Sequence, residues 1–458
     1  MSMFTVTSPS TGAVAAEVEA DDRESIQAKV AAARSAQAEW ARRTMGERLE
    51  IVRRFRAVVV YRRDELAALL CAETGKPITQ ARNELDGVAP RLDFFLRVAD
   101  AALTPRTVLD EPTMVEQVVA EPLGVVANVS AWNYPWFVGV NVWAPALLAG
   151  NAVVYKPSEL APRTGAAAAA AWHEAGLPAE LFAVVQGGPV VGSDLIDADI
   201  DGLCFTGSHP TGRAIAERVA GRLLSVQLEL GGKDPAYVAD DADIAVAAAS
   251  LADGAFYNAG QSCCAVERIY VHRAVHDAFV DAFVRVVEGF PVGDPTEEGT
   301  YLGPLTRPGQ EAVLSVQVDD AVARGANVRT GGAPLDRPGR WFAPTVLTEV
   351  DHSMSVMVDE TFGPVVGIMA VLDDDEAVAR MADTAYGLTA AVYSAHEGRA
   401  RAVLARLRTG TAYWNCCDRV SPRLPWSGRG HSGVGVTLGV EGLRAFTRPR
   451  SWHLRAPE

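Results

Sequence analysis

From residue 125 onward, short apolar runs alternate with helical segments, and no other feature of the chain constrains its fold as strongly. Strand-like runs at 125–130, 152–155, 181–185 and 203–206 are separated by helical patterns that include 135–148, 161–175 and 211–220. A strand that returns parallel to its neighbour needs a long crossover, and a helix supplies it, so the alternation predicts a doubly wound parallel sheet of the nucleotide-binding kind. A second series starts near Pro235 and runs to Trp414, with strands near 268–271, 365–371 and 390–393. Two α/β domains are therefore expected. Ahead of them, 21–103 reads as helical, with Ile26, Val30, Ala33, Ala36 and Trp40 recurring at three- and four-residue spacing. Residues 106–123 read as two strands around a turn at Pro112, a protruding hairpin.

Composition narrows what such a chain can do. The 458 residues are 49% hydrophobic, enough for well-buried cores, and the net charge of −15 is spread without a basic arm or a run of like charge. That distribution argues against nucleic acid and against anionic membrane surfaces as partners. The longest apolar stretch, 136–149, is shorter than the roughly 20 residues a membrane helix needs, and is expected to be a buried helix. Residues 1–5 lack the basic and apolar parts of a secretion signal, so a cytoplasmic location is expected. Cys71, Cys204, Cys263, Cys264, Cys416 and Cys417 are too few and too irregular for a disulfide framework. Reduced thiols are expected, and with dispersed histidines and no Cys-x-x-Cys spacing, no metal site.

Several segments carry chemistry. In Gly260-Gln261-Ser262-Cys263-Cys264, Cys263 lies where free backbone N–H groups can lower a thiol pKa and bind an oxyanion. Glu229, between a strand ending at 228 and Gly231-Gly232, can be delivered to a cleft, where a carboxylate activates water against a thioester. Asn133, in Ala131-Trp132-Asn133-Tyr134-Pro135, sits at a strand-to-helix junction and can donate to an oxyanion or cap the helix. Lys156 and Glu159 follow an apolar strand, at the mouth where a doubly wound sheet takes nucleotides. Gly207-Ser208 lead into a helix whose N-terminus suits a pyrophosphate, although the chain has no Gly-x-Gly-x-x-Gly fingerprint. Glu360 and Phe362 precede a strand of the second series and offer a carboxylate for a ribose and a ring for a nicotinamide.

In this order the segments closely resemble the NAD(P)-dependent aldehyde dehydrogenase superfamily, from Glu73-Thr74-Gly75-Lys76-Pro77 to Ser432-Gly433-Val434-Gly435. The resemblance implies Cys263 as nucleophile, Glu229 as general base, and Asn133 with the Cys263 N–H as oxyanion hole. It implies that Trp132, Lys156, Ser158, Glu159, Gly207, Ser208, Gln310, Glu360 and Phe362 bind the cofactor. The substrate funnel is implied to be Tyr134, Val138, Asn141, Tyr257, Ser262, Asp418, Val420 and Trp426. It further implies an NAD-binding domain at 1–105 and 124–231 and a catalytic domain at 232–439. An oligomerisation element at 106–123 and 440–458 would build a homodimer or homotetramer. One departure is Pro425-Trp426-Ser427-Gly428-Arg429-Gly430, where the family carries Pro-Phe-Gly-Gly-x-Lys.

The expected reaction is oxidation of a small-molecule aldehyde to its acid through a cysteine thiohemiacetal and thioester. Glu159 would repel a 2′-phosphate, so NAD is expected over NADP. Asn141 interrupts an aromatic cage for a quaternary ammonium, which favours an uncharged aliphatic or aromatic aldehyde over betaine aldehyde. Two alternatives stand beside this: a CoA-acylating dehydrogenase, which Glu229 disfavours, and a catalytically silent protein of the same fold, which the intact Cys263, Glu229 and Asn133 disfavour.

Overall fold

The computed structural model describes residues 2–457. Four helices, Arg23–Trp40, Met45–Tyr61, Arg63–Thr74 and Ile78–Leu103, form the early helical region. Their starts are written locally. The Asp22 carboxylate accepts from Ser25 N at 2.9 Å, and Thr44 and Glu47 form a reciprocal capping box.

The first sheet runs, in spatial order, Gly433–Val434, Ser225–Glu229, Gly202–Thr206, Val125–Val129, Ala152–Lys156 and Phe182–Val184. All neighbours are parallel except the short Gly433–Val434 strand. The chain first builds outward from Val125–Val129 to one side, then crosses to Gly202–Thr206 on the other. That reversal opens a crevice at the strands' carboxyl ends, where a doubly wound sheet takes ligands. Strands buried on both faces read as apolar runs, and every residue of Val125–Val129 and Ala152–Lys156 is buried. Helix Pro135–Leu148, the longest apolar stretch, is a core helix; Trp136 and Trp143 are each 1% exposed. Each buried side chain of this size contributes about 1.5–3 kcal/mol. No helix among the described residues is long and apolar enough to cross a membrane.

The second sheet has seven strands in the order Asn327–Thr330, Thr345–Thr348, Val365–Val371, Val266–His272, Asp234–Val238, Thr389–Tyr393 and Thr411–Trp414, with its own core. Only the first pair is antiparallel. The expected hairpin is present as Arg106–Glu111 and Met114–Pro122, and Thr447–Arg455 adds a third, antiparallel strand to it.

Three expected boundaries shift. The chain rejoins the first sheet at Gly433, where Val434 pairs with Leu228, so the second domain ends before 439. Helix Gly439–Arg444 packs on Ile78–Leu103, and Leu438, Leu443 and Phe446 lie in the first core, so of the segment expected for the outer element only Thr447–Arg455 pairs with the hairpin. The N-terminal hairpin, Met3–Thr7 with Val14–Glu19, bonds to the second domain: Arg340 N donates to Pro9 O at 2.9 Å. These segments are short and not strongly apolar, so their partners are chosen by tertiary pairing rather than by local pattern.

Candidate active site

The carboxyl ends of the first sheet face the loop that enters strand Val266–His272 of the second, and this junction gathers the chemistry. Ahead of Cys263 the backbone takes three successive left-handed residues, Asn258 (φ 54°), Ala259 (φ 54°) and Gly260 (φ 69°). Such conformations cost about 1–3 kcal/mol at a non-glycine residue and persist only where the surroundings hold them. Gly260 is required twice over, since a Cβ there would lie 2.2 Å from the Gly363 carbonyl oxygen. An amide network holds the turn. Asn258 N donates to Gln80 Oε1 at 2.9 Å, Gln261 Nε2 to Asn258 O at 3.0 Å, and Thr306 N to Gln261 Oε1 at 2.9 Å. Buried Asn133 joins it, its Nδ2 donating one hydrogen to Gln261 O at 3.1 Å and keeping the other for a ligand.

Half-buried Cys263 and Glu229 line two cavities together. One is shared with Val138, Asn141, Val142, Cys204, Phe205, Thr206, Gln227, Trp426 and Thr437. The other continues past Trp132, Asn133 and Tyr134 to Gln310, Glu360 and Phe362. Loss of water lifts the Glu229 carboxyl to about 8, opposed by hydrogen bonds from Thr437 and Trp426. Thr437 Oγ1 donates to Glu229 Oε1 at 3.3 Å. A two-way backbone pairing, Trp426 N to Thr437 O at 2.7 Å and Thr437 N to Trp426 O at 2.9 Å, sets both side chains at the carboxylate.

Cys264 has a different environment. It is buried, its Sγ donates to Asp418 Oδ1 at 2.9 Å, and hydrogen bonding to Cys263 together with burial pushes its thiol up. Burial raises Asp418 itself to about 7. Ser262 Oγ donates to the same Asp418 oxygen at 3.5 Å. Below these, the Lys76 ammonium pairs with Glu84 and sits 3.7 Å over the Tyr134 ring, Tyr134 stacks on Phe137, and the Arg91 guanidinium lies 3.6 Å over Phe137. Glu84 also accepts from Trp136 N at 2.9 Å, so one carboxylate caps helix Pro135–Leu148 and fixes the wall beside Cys263.

A cleft of about 740 Å³ opens at the switch point and is lined by Trp132, Lys156, Ser158, Glu159, Gly207 and Ser208. Burial depresses the Lys156 ammonium; its Nζ donates to Pro157 O at 3.0 Å and lies 3.6 Å from Glu159 Oε2. It keeps hydrogens to give to a ribose. Helix His209–Val219 opens on the same cleft through its cap Ser208 and through Thr211. Glu360, raised to about 8 by burial, accepts from Gly232 N at 3.1 Å and lies so close to Gly231 that a Cβ there would collide with it. Trp132 and Phe362 meet edge to face at 5.7 Å. These groups have the chemistry to hold a dinucleotide: a lysine and carboxylate suited to ribose hydroxyls at one end, a helix N-terminus in the middle, and a second carboxylate and an aromatic ring beside Cys263.

The cavities at Cys263 take in Tyr134, Val138, Asn141 and Trp426 of the expected funnel. Tyr257, Ser262, Asp418 and Val420 are not among their walls. Tyr257 OH accepts from Asn83 Nδ2 at 3.1 Å, and Val420 packs against the first core. Sequence reasoning missed Thr437, Gln227, Arg307 and Glu267. Glu267 accepts from Lys233 Nζ at 2.7 Å, Thr361 N at 2.8 Å and Phe362 N at 2.9 Å, and Gln310 Nε2 donates to Thr361 O at 2.8 Å. The positive φ of Phe362, 50°, is held by this clamp. The lone acidic side chain in an apolar strand was the available signal for Glu267.

The aldehyde dehydrogenase family profile matches residues 1–452. A putative succinate-semialdehyde dehydrogenase [NADP(+)] 2 of Mycobacterium ulcerans is 40% identical over 93% of this chain and 84% of its own length. The 3,6-anhydro-alpha-L-galactose dehydrogenase of Streptomyces coelicolor is 38% identical over 98% and 92%. The crystal structure of betaine aldehyde dehydrogenase from Staphylococcus aureus in complex with NAD+ superposes with a TM-score of 0.95 at 30% identity, covering 100% of this chain and 92% of that one. With a matching profile along nearly its whole length and relatives at this identity, the chain belongs to the aldehyde dehydrogenase family.

Proposed function

We propose that this protein oxidises an uncharged aldehyde to its carboxylic acid through a thioester on Cys263, with NAD preferred over NADP. The observation that carries the reading is that Cys263 and Glu229 share both cavities, with Asn133 in the wall of the second. The Cys263 thiolate attacks the carbonyl carbon, and the Asn133 Nδ2 hydrogen and the Cys263 N–H receive the developing oxyanion. A nicotinamide dinucleotide, when bound along Lys156, Glu159, Gly207, Ser208, Glu360 and Phe362, supplies the two-electron acceptor. Glu229, as carboxylate, takes a proton from water as that water attacks the thioester carbonyl, and the acid and the Cys263 thiolate separate.

Glu159 supports NAD: it stands at the ribose end of the cleft with a half-exposed carboxylate paired to Lys156, and a 2′-phosphate would meet its charge. The outer sheet supports self-association. Val108, Trp452 and Leu454 on its strands are 40–50% exposed, an apolar surface suited to another copy. A panel of aldehydes assayed with NAD and NADP, with and without CoA, tests the reading. Acid formation without CoA supports it. A requirement for CoA points to acyl transfer, and absence of turnover in every combination refutes it.

A further inference from the structure

Among the walls of the smaller cavity behind Cys263 and Glu229, the only acidic or basic side chain is Glu229 itself. The remaining polar walls are neutral amides and hydroxyls: Asn141, Gln227, Thr206 and Thr437. Asn141 is 8% exposed, and its Oδ1 has no hydrogen-bond partner. A buried amide oxygen left without a donor is destabilising, so a bound group that donates to it is favoured over one that cannot. An anionic tail would meet Glu229 with no cation in the cavity wall. Of the neighbouring cations, Lys76 and Arg91 lie against the Tyr134 and Phe137 rings, Lys76 paired with Glu84 and Arg91 Nη1 donating to Gly87 O at 3.0 Å, and Arg307 lines the other cavity at Cys263 rather than this one. A quaternary ammonium would find two aromatic residues there, Phe205 and Trp426, and no aromatic enclosure around it.

We infer that the substrate is a short neutral hydroxyaldehyde whose hydroxyl donates to Asn141 Oδ1 while its carbonyl carbon is held at Cys263. This rests on the aldehyde-oxidising reading above and names its substrate class. Asn141 is then a specificity-determining residue. It rewards a hydroxyl by completing a buried hydrogen bond and disfavours the alkyl analogue by leaving that bond unmade, a form of discrimination stronger than pocket shape alone.

The test compares kcat/KM for glyceraldehyde and propanal, matched in carbon count, in the wild-type enzyme and in Asn141→Leu. Succinate semialdehyde and betaine aldehyde serve as charged controls. Values are referred to the free carbonyl form, so hydration does not enter. The wild-type enzyme is expected to favour glyceraldehyde over propanal by about tenfold or more, and over both charged aldehydes. In Asn141→Leu the glyceraldehyde-to-propanal ratio should fall by about tenfold. Equal or reversed wild-type preference, or a charged aldehyde as best substrate, overturns the inference even if the variant does not fold, and so does an unchanged ratio in a folded variant. If the panel shows oxidation of alkyl aldehydes only, this inference fails while the dehydrogenase reading stands; if no aldehyde is oxidised, both fail.

Discussion

Thr437 donates its hydroxyl to the Glu229 carboxylate at 3.3 Å, joining two residues 208 positions apart in the chain. The bond favours the charged form of a carboxyl that burial pushes the other way. Thr437→Val removes the donor and keeps the shape. At about 1 kcal/mol for such a bond, the carboxylate fraction at neutral pH should drop roughly fivefold, and kcat with it where deacylation limits turnover. The variant's pH profile should also shift upward. An unchanged profile, measured from pH 6 to 10, would separate Thr437 from the base.

Glu229 at about 8 also fixes the sign of two pH dependences. Turnover should rise as pH climbs toward 8, because the carboxylate is the base, and level off above it. Stability moves the other way. The unfolded chain releases this proton in the ordinary carboxylate range while the folded one holds it to about 8, so the associated stability is complete at low pH and is lost as pH rises to about 8. Thermal melts of the wild type should therefore decline more steeply between pH 5 and 8 than those of Glu229→Gln, which has no proton to exchange. Parallel slopes would contradict the elevated pKa.

Glu267 holds the Thr361 and Phe362 amides and pairs with buried Lys233, so it acts on the cofactor end of the site through the loop it clamps. Glu267→Gln keeps one acceptor oxygen and loses the charge. KM for NAD should rise by about tenfold, in line with the loss of a charged hydrogen bond. Hydrolysis of p-nitrophenyl acetate, which needs the Cys263 thiolate but no dinucleotide, should fall far less. Equal losses in the two assays would mean a general structural role.

At the other end of the cleft, Glu159→Gln removes the charge that would oppose a 2′-phosphate. The ratio of kcat/KM for NAD to that for NADP should exceed one in the wild type and fall severalfold in the variant. A wild type that favours NADP, the cofactor in the name of the 40% identical mycobacterial relative, would show that another group receives the 2′-phosphate.

Much of this site was legible in the sequence because it sits at the ends of strongly patterned elements. Helix Pro135–Leu148 and strand Val365–Val371 have the limits their apolar runs predict, and Asn133, Glu229, Lys156 and Gly207 all lie at or just past strand ends. What stayed hidden depends on contacts across the chain. The return of Gly433–Val434 to pair with Leu228 and Glu229 involves two residues, too few to carry a period, and it is this return that brings Thr437 to Glu229. Asp418 was expected in the funnel; its partners are Cys264 Sγ and Ser262 Oγ, a grouping created by the fold and marked by no motif.

The most direct test of the central claim is rapid mixing of Glu229→Gln with aldehyde and NAD, followed by intact mass of the quenched protein. The expected result is a burst of about one NADH per active site, slow turnover afterwards, and an acyl group on Cys263, with no burst when Cys263→Ala is added. Steady turnover at the wild-type rate without a burst, or an acyl group on Cys264 instead, would contradict it.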